Sequence, residues 1–276
     1  MILRVLRDIF ARKPAARLPV DEAGFERLMQ HSLEQGRHAE CLAIYDAAIA
    51  TGLQPCAEEF DRDYRRALVA TGNAPYPLSR RRRFERLWQL MAEVRSLEGD
   101  FAECGCFRGM SSHLLLSKIR GADPGFDGHG YHVFDSFEGL SEPVAADLPT
   151  GNDAASERVR RMCQRGWFAA TLAVVQRSLT DFPGVSFHPG WIPASFAGLP
   201  ERRYRFVHLD LDLHDPTLAA LDYFFPRLAP GAIVVCDDYA WPGARKAVDA
   251  FAVRQGIAVE ATPHGQAVLR STRVSA

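Results

Sequence analysis

Apolar positions recur at helical spacing through the first quarter of the chain. Beyond residue 99 they change to short apolar runs alternating with helical stretches. Phe25, Leu28, Met29 and Leu33 mark one helix, and Cys41, Leu42, Ile44, Tyr45, Ala48 and Ile49 a second, with Gly36-Arg37-His38 turning the chain between them. The helical pattern continues to about residue 72. Small residues and a tyrosine in the second helix give it the texture of one tetratricopeptide-type repeat, and a lone repeat cannot bury a solenoid core. Residues 1–75 are therefore expected to form a helical appendage. Asn73-Ala74-Pro75-Tyr76-Pro77 reads as a linker, and a helix is expected from Ser79 to about Leu97. Its four consecutive arginines, Arg80 to Arg83, carry the charge to grip a phosphate or an acidic substrate. A solvated helix face is the commoner use of such a run.

From Gly99 onward the pattern predicts strands at Phe101–Cys104, Tyr131–Phe134, Val185–His188, Phe206–Leu211 and Ala232–Cys236, with two more near Ile257–Ala261 and Ala267–Leu269. Helices are expected near 109–120, 156–180, 216–228 and 243–255. Alternation of this kind implies an α/β domain over residues 76–276, a mostly parallel seven-stranded sheet covered by helices on both faces. The stretch from Ser136 to about Asp153 is a long connection rich in Gly, Pro and Asp, and its place after a strand end suggests a lid.

Composition narrows the class. Hydrophobic residues at 47% and charged residues at 24% are ordinary for a globular protein, and a net charge of −1 gives no general attraction to nucleic acid. Six cysteines with no C-x-x-C pair suggest neither a disulfide frame nor a zinc site, so a reducing, cytoplasmic setting is expected. No apolar run approaches the roughly 20 residues that span a bilayer. The opening Met1–Phe10 interleaves apolar residues with arginines and is too short for a secretory signal. It reads either as a helix packed on its own domain or as a weak membrane-surface contact.

The chemistry concentrates in Phe206-Val207-His208-Leu209-Asp210-Leu211-Asp212-Leu213-His214-Asp215-Pro216, a buried strand running into clustered carboxylates. Three aspartates this close repel one another unless a cation or proton sits between them. A second apolar strand ends in Asp237-Asp238. Two such tips suggest neighbouring parallel strands whose carboxyl ends share one crevice, where open α/β sheets place ligands. Earlier, Glu103, Gly105 and Gly109 are spaced as E-x-G-x-x-x-G at a strand-to-helix turn, a departure from the dinucleotide fingerprint. Asp135 ends the next strand, where an acidic residue takes both ribose hydroxyls or merely caps a turn.

These segments, with "FDSFEGL" at 134–140, "HLDLDLHDPT" at 208–217 and "RLAPGAIVVCDDYAWPGARKAVDAF" at 227–251, resemble in content and order the macrocin O-methyltransferase family. The resemblance covers about residues 80 to 271 and leaves residues 1 to about 75 outside. It implies a Rossmann-like class I methyltransferase fold, S-adenosylmethionine as methyl donor, and a sugar hydroxyl of a secondary metabolite or glycan as acceptor. It also implies a divalent cation, usually magnesium, on Asp210, Asp237 and Asp238, with Asp212 as general base. Glu103, Gly105 and Gly109 would lie against the amino-acid end of the donor, Asp135 would hold the ribose, and Ser136 and Phe137 would flank the adenosine. Trp191, in Pro189-Gly190-Trp191, would line the base pocket or serve as a buried structural residue. Homo-oligomers are usual among such relatives, so one is expected. Two other classes use D-x-D with a metal, glycosyltransferases and dehalogenase-type phosphatases, but neither accounts for the Glu103–Gly109 turn before it. A non-catalytic binding module of the same fold is the third alternative.

Overall fold

The computed structural model describes residues 21–50, 52 and 57–271, which fall into two compact units, 1–85 and 86–276. The expected membrane-surface segment at the extreme N-terminus lies outside the described residues. No helix among those described is long and apolar enough to cross a membrane.

In the first unit, α1 (Glu22–Glu34) and α2 (His38–Ala50) form the expected hairpin, with Gly36 in the left-handed region at the turn. Asp21 caps α1 by accepting from the Gly24 N–H. A third helix, α3 (Glu58–Thr71), ends at Gly72 with φ 63°. Phe25, Met29, Ile44, Tyr45, Phe60 and Tyr64 form its buried core.

One arginine of the run departs from the solvated helix face expected of it. The run lies in α4 (Leu78–Glu93), and Arg81 is fully buried. The Arg81 guanidinium lies over the rings of Phe60, Tyr45 and Tyr64 at 4.8, 5.7 and 5.8 Å, and its Nε donates to the Tyr45 hydroxyl at 2.6 Å. Asp61 and Glu85 stand 3.9 and 3.5 Å from it. Arg80 covers the Tyr76 ring and Arg82 pairs with Glu22. Planar, weakly hydrated guanidinium is the cation best suited to such an aromatic enclosure.

The second unit is the expected doubly wound sheet. Its strands are β1 (Asp100–Cys104), β2 (Tyr131–Asp135), β3 (Ser186–Pro189), β4 (Tyr204–Leu209), β5 (Leu228–Cys236), β6 (Glu260–Ala261) and β7 (Ala267–Arg270). They lie in the order β3-β2-β1-β4-β5-β7-β6, with β1 to β5 parallel and β7 antiparallel to β5. Successive side chains face opposite sides. Phe101, Phe206 and Ile233 pack beneath α4, α5 (Met110–Ala122) and α7 (Leu172–Ser178). Their neighbours Ala102, Val207 and Val234 pack against α8 (His214–Phe224) and α9 (Pro242–Gln255).

Three expected elements differ. The strand toward the acidic cluster stops at Leu209, so Asp210 and Asp212 stand beyond it, and the strand near Ile257–Ala261 shrinks to Glu260–Ala261. The single helix expected over 156–180 is two, α6 (Ala154–Met162) and α7. Between them the backbone bonds elsewhere, the Leu140 N–H donating to the Trp167 carbonyl and the Gly166 N–H to the Leu140 carbonyl, both at 2.9 Å. Gly166 and Phe168, both at positive φ, shape that detour.

Candidate active site

Two groups of residues meet at the carboxyl ends of the parallel strands. The first is the turn from β1 into α5. Gly105 has φ 81°, and Gly109, at φ 86°, caps α5. A Cβ on Gly105 would stand 1.9 Å from the Asp210 carbonyl oxygen, so the turn rests directly on the chain leaving β4. Gly105→Ala combines that overlap with a left-handed backbone costing about 1–2 kcal/mol for an L-residue. It is expected to lower stability by at least about 2 kcal/mol in urea unfolding; a shift below about 0.5 kcal/mol would show that the turn yields freely.

Asp135 ties this turn to the end of β2. One carboxylate oxygen accepts from the Cys106 and Phe107 N–H groups at 2.7 and 3.3 Å, and the other from the Phe137 N–H at 2.7 Å. Three backbone donors leave the carboxylate room for a further one. Ser136 turns inward, its hydroxyl donating to the Gly139 carbonyl at 2.7 Å, and Phe137 is buried at φ 57°. The Trp191 Nε1–H, just past β3, donates to the same Gly139 carbonyl at 3.2 Å, with the Arg165 guanidinium 5.5 Å over its ring. Glu103 lies under the turn rather than in the crevice. It is fully buried, accepting from the Ser112 hydroxyl and from the Tyr131 hydroxyl at 3.0 Å.

The second group extends the ladder past β4 and β5. The Asp210 N–H donates to the Cys104 carbonyl at 2.8 Å and the Asp237 N–H to the Leu209 carbonyl at 2.7 Å, which fixes both aspartates side by side. Asp237 and Asp238 are buried, and Gln266 Nε2 donates to Asp237 Oδ1 at 2.6 Å. Asp212 is half-buried with φ 58°, a strained conformation for a non-glycine residue, and its N–H donates to Asp238 Oδ2 at 2.9 Å.

His208 was not among the expected site residues. It is 1% exposed, with Nδ1 3.0 Å from Glu103 Oε1 and Nε2 3.8 Å from Asp237 Oδ1. Burial opposes charge on the ring, but the carboxylates of Asp237 and Glu103 outweigh it and raise its pKa to about 10. A ring nitrogen of His208 and one carboxylate oxygen each from Asp210 and Asp237 lie within 4.8 Å of one another. Asp238 stands outside that group. Strand register explains the meeting of His208 and Glu103, which are paired neighbours across β4 and β1.

Asp147 was also missed. It is buried in the long connection after β2, accepting from the His214 N–H at 2.6 Å and the Val144 N–H at 2.8 Å. A Cβ on Gly243 would lie 2.0 Å from its Oδ1. The connection is thereby fastened to the first turns of α8 and α9, which border the acidic crevice. Nothing in the Gly-, Pro- and Asp-rich stretch distinguishes this aspartate from its neighbours. The His214 side chain pairs with Asp215 at 2.7 Å. Cys104, Cys106 and Cys236 are buried and unbridged, and burial pushes their thiols well up, so they serve as apolar packing here.

Strand order, glycine turn, acidic residue after β2 and carboxylate crevice together define a class I methyltransferase fold. The chain belongs to the macrocin O-methyltransferase (TylF) family, whose model matches residues 25–263. That match takes in α1 to α3, so the resemblance does not begin near residue 80 as expected from the motifs. Among curated relatives, the 8-demethyl-8-(2,3-dimethoxy-alpha-L-rhamnosyl)-tetracenomycin-C 4'-O-methyltransferase of Streptomyces olivaceus is 35% identical over 163 residues, covering 58% of this chain and 60% of the relative. The mycinamicin III 3''-O-methyltransferase of Micromonospora griseorubida is 29% identical over 166 residues, covering 59% of this chain and 63% of the relative. This chain thus matches about three fifths of the length of each. The solved O-methyltransferase NovP superposes with a TM-score of 0.56 at 25% identity, over 69% of this chain and 80% of that one.

Proposed function

We propose that this chain is an S-adenosylmethionine-dependent O-methyltransferase acting on a sugar hydroxyl of a small natural product. The observation that carries the reading is the meeting of two half-sites at one sheet end: the Gly105–Gly109 turn with Asp135, and the Asp210, Asp212 and Asp237 carboxylates. Family membership and relatives named for sugar positions support the acceptor class.

The residues divide the work as follows. Asp135 takes a ribose hydroxyl with the acceptor capacity its backbone donors leave, and Trp191 and Phe137 flank the adenosine. Gly105 and Gly109 let the backbone approach the amino-acid end, while buried Glu103 stiffens the turn from below. When bound, the donor supplies a methyl carbon on a sulfonium, which is displaced onto the acceptor oxygen. Asp212 takes the hydroxyl proton as general base, held at the crevice mouth by its left-handed turn and by Asp238.

A cluster of hard oxygen donors fits a divalent cation such as magnesium. Asp210 and Asp237 would hold it, with Asp238 as the further carboxylate. Such a cation supplies charge that lowers the pKa of the acceptor hydroxyl and orients it.

Purified protein should transfer methyl groups from S-adenosylmethionine to a demethylated rhamnosyl natural product, read by mass spectrometry. Donor binding with no transfer to any sugar hydroxyl would overturn the acceptor class. Asp135→Ala is expected to weaken S-adenosylhomocysteine binding by about 10–100-fold, the loss of charge-assisted hydrogen bonds to ribose. Unchanged affinity in calorimetry would mean that the ribose sits elsewhere.

A further inference from the structure

We infer that the cation site in the crevice is a mixed nitrogen and oxygen site, with His208 Nε2 as a ligand beside Asp210 and Asp237, and that it prefers a transition metal to magnesium. The inference rests on the reading of the crevice as a cation site and deepens it. Three observations carry it.

First, His208 is 1% exposed, and its Nε2 is a buried nitrogen with no hydrogen-bond partner, 3.8 Å from Asp237 Oδ1 and beyond hydrogen-bond reach. A buried polar atom aimed into a carboxylate cluster calls for a ligand. Second, the three ligand atoms lie within 4.8 Å of one another. Ligands at about 2.0–2.2 Å from a shared ion are at most about 4.4 Å apart, so inward shifts of a few tenths of an ångström bring them into coordination. Third, the far side of the ring is prepared. Glu103 Oε1 lies 3.0 Å from Nδ1 and only accepts, so Nδ1 carries the proton and Nε2 points at the crevice.

That arrangement, a carboxylate behind a histidine whose other nitrogen faces the ion, is how proteins orient imidazole ligands. Glu103 is itself fixed by the Ser112 and Tyr131 hydroxyls, and Asp237 by Gln266. Imidazole suits borderline transition metals, whereas magnesium demands an oxygen shell and dehydrates reluctantly. Asp238 also keeps one oxygen on the Asp212 N–H, behind the proposed base.

The test is manganese binding, read by pulsed electron paramagnetic resonance without donor or acceptor. The bound ion should show coupling to a histidine nitrogen that changes when histidine carries the heavier nitrogen isotope. His208→Gln should remove the coupling and weaken manganese at least about tenfold, while His214→Gln keeps both. In wild type, manganese should bind at least about tenfold tighter than magnesium. If His208→Gln fails to fold, the labelled wild type and His214→Gln still decide. Manganese bound with no histidine coupling overturns the inference and leaves the carboxylate cation site standing. Absence of any manganese binding sensitive to Asp237→Asn overturns both.

Discussion

Asp212→Asn is expected to reduce turnover by about a thousandfold or more, at the upper range for loss of a general base. Donor affinity should stay within about twofold. The substitution preserves shape and removes only the ability to take a proton. Asp212 sits in the left-handed region, where asparagine is also tolerated. Its N–H to Asp238 is a backbone contact that the side-chain change leaves in place. Turnover with a glycoside acceptor and calorimetry with S-adenosylhomocysteine separate the two effects. Parallel losses in both would show that Asp212 shapes the donor site instead of serving the chemistry.

The second large effect lies in the helical unit. Arg81→Ala should destabilise the helical unit by about 3–5 kcal/mol, the range for removing one partner of a buried ion pair. Arg81 is fully buried, while Asp61 and Glu85 beside it are mostly so, at 21% and 17% side-chain exposure. Burial already pushes the Glu85 pKa up, and Arg81 is the principal charge pulling it down. The truncation also leaves the Tyr45 hydroxyl without its Arg81 donor and opens a space among Tyr45, Phe60 and Tyr64. Arg81→Lys keeps the charge but not the flat face that stacks on three rings, so it should recover only part of the loss. Hydrogen exchange at the α2 and α3 amides reports on this unit specifically. Protection unchanged in Arg81→Ala would contradict the structural role.

Much of the second unit was legible because its information is local. Alternating faces in β1, β4 and β5 follow from runs such as Phe206-Val207 and Ile233-Val234, and each acidic tip directly follows its strand. What escaped depends on register or on distant partners. His208 reads as one more buried strand residue until β4 is laid beside β1, which sets it against Glu103. A polar residue in an otherwise apolar run was the available signal. Arg81 reads as one of four exposed charges because the rings around it come from α2 and α3. The break between α6 and α7 is set by pairing with Leu140, an interaction no helical period encodes.

The crevice at the ends of β1, β2 and β4 is proposed to hold the methyl donor. Calorimetric titration of S-adenosylhomocysteine into the full chain tests it most directly. Micromolar binding of one S-adenosylhomocysteine per chain is expected, retained in Asp212→Asn and weakened in Asp135→Ala. Absence of binding, with and without added manganese or magnesium, would contradict it.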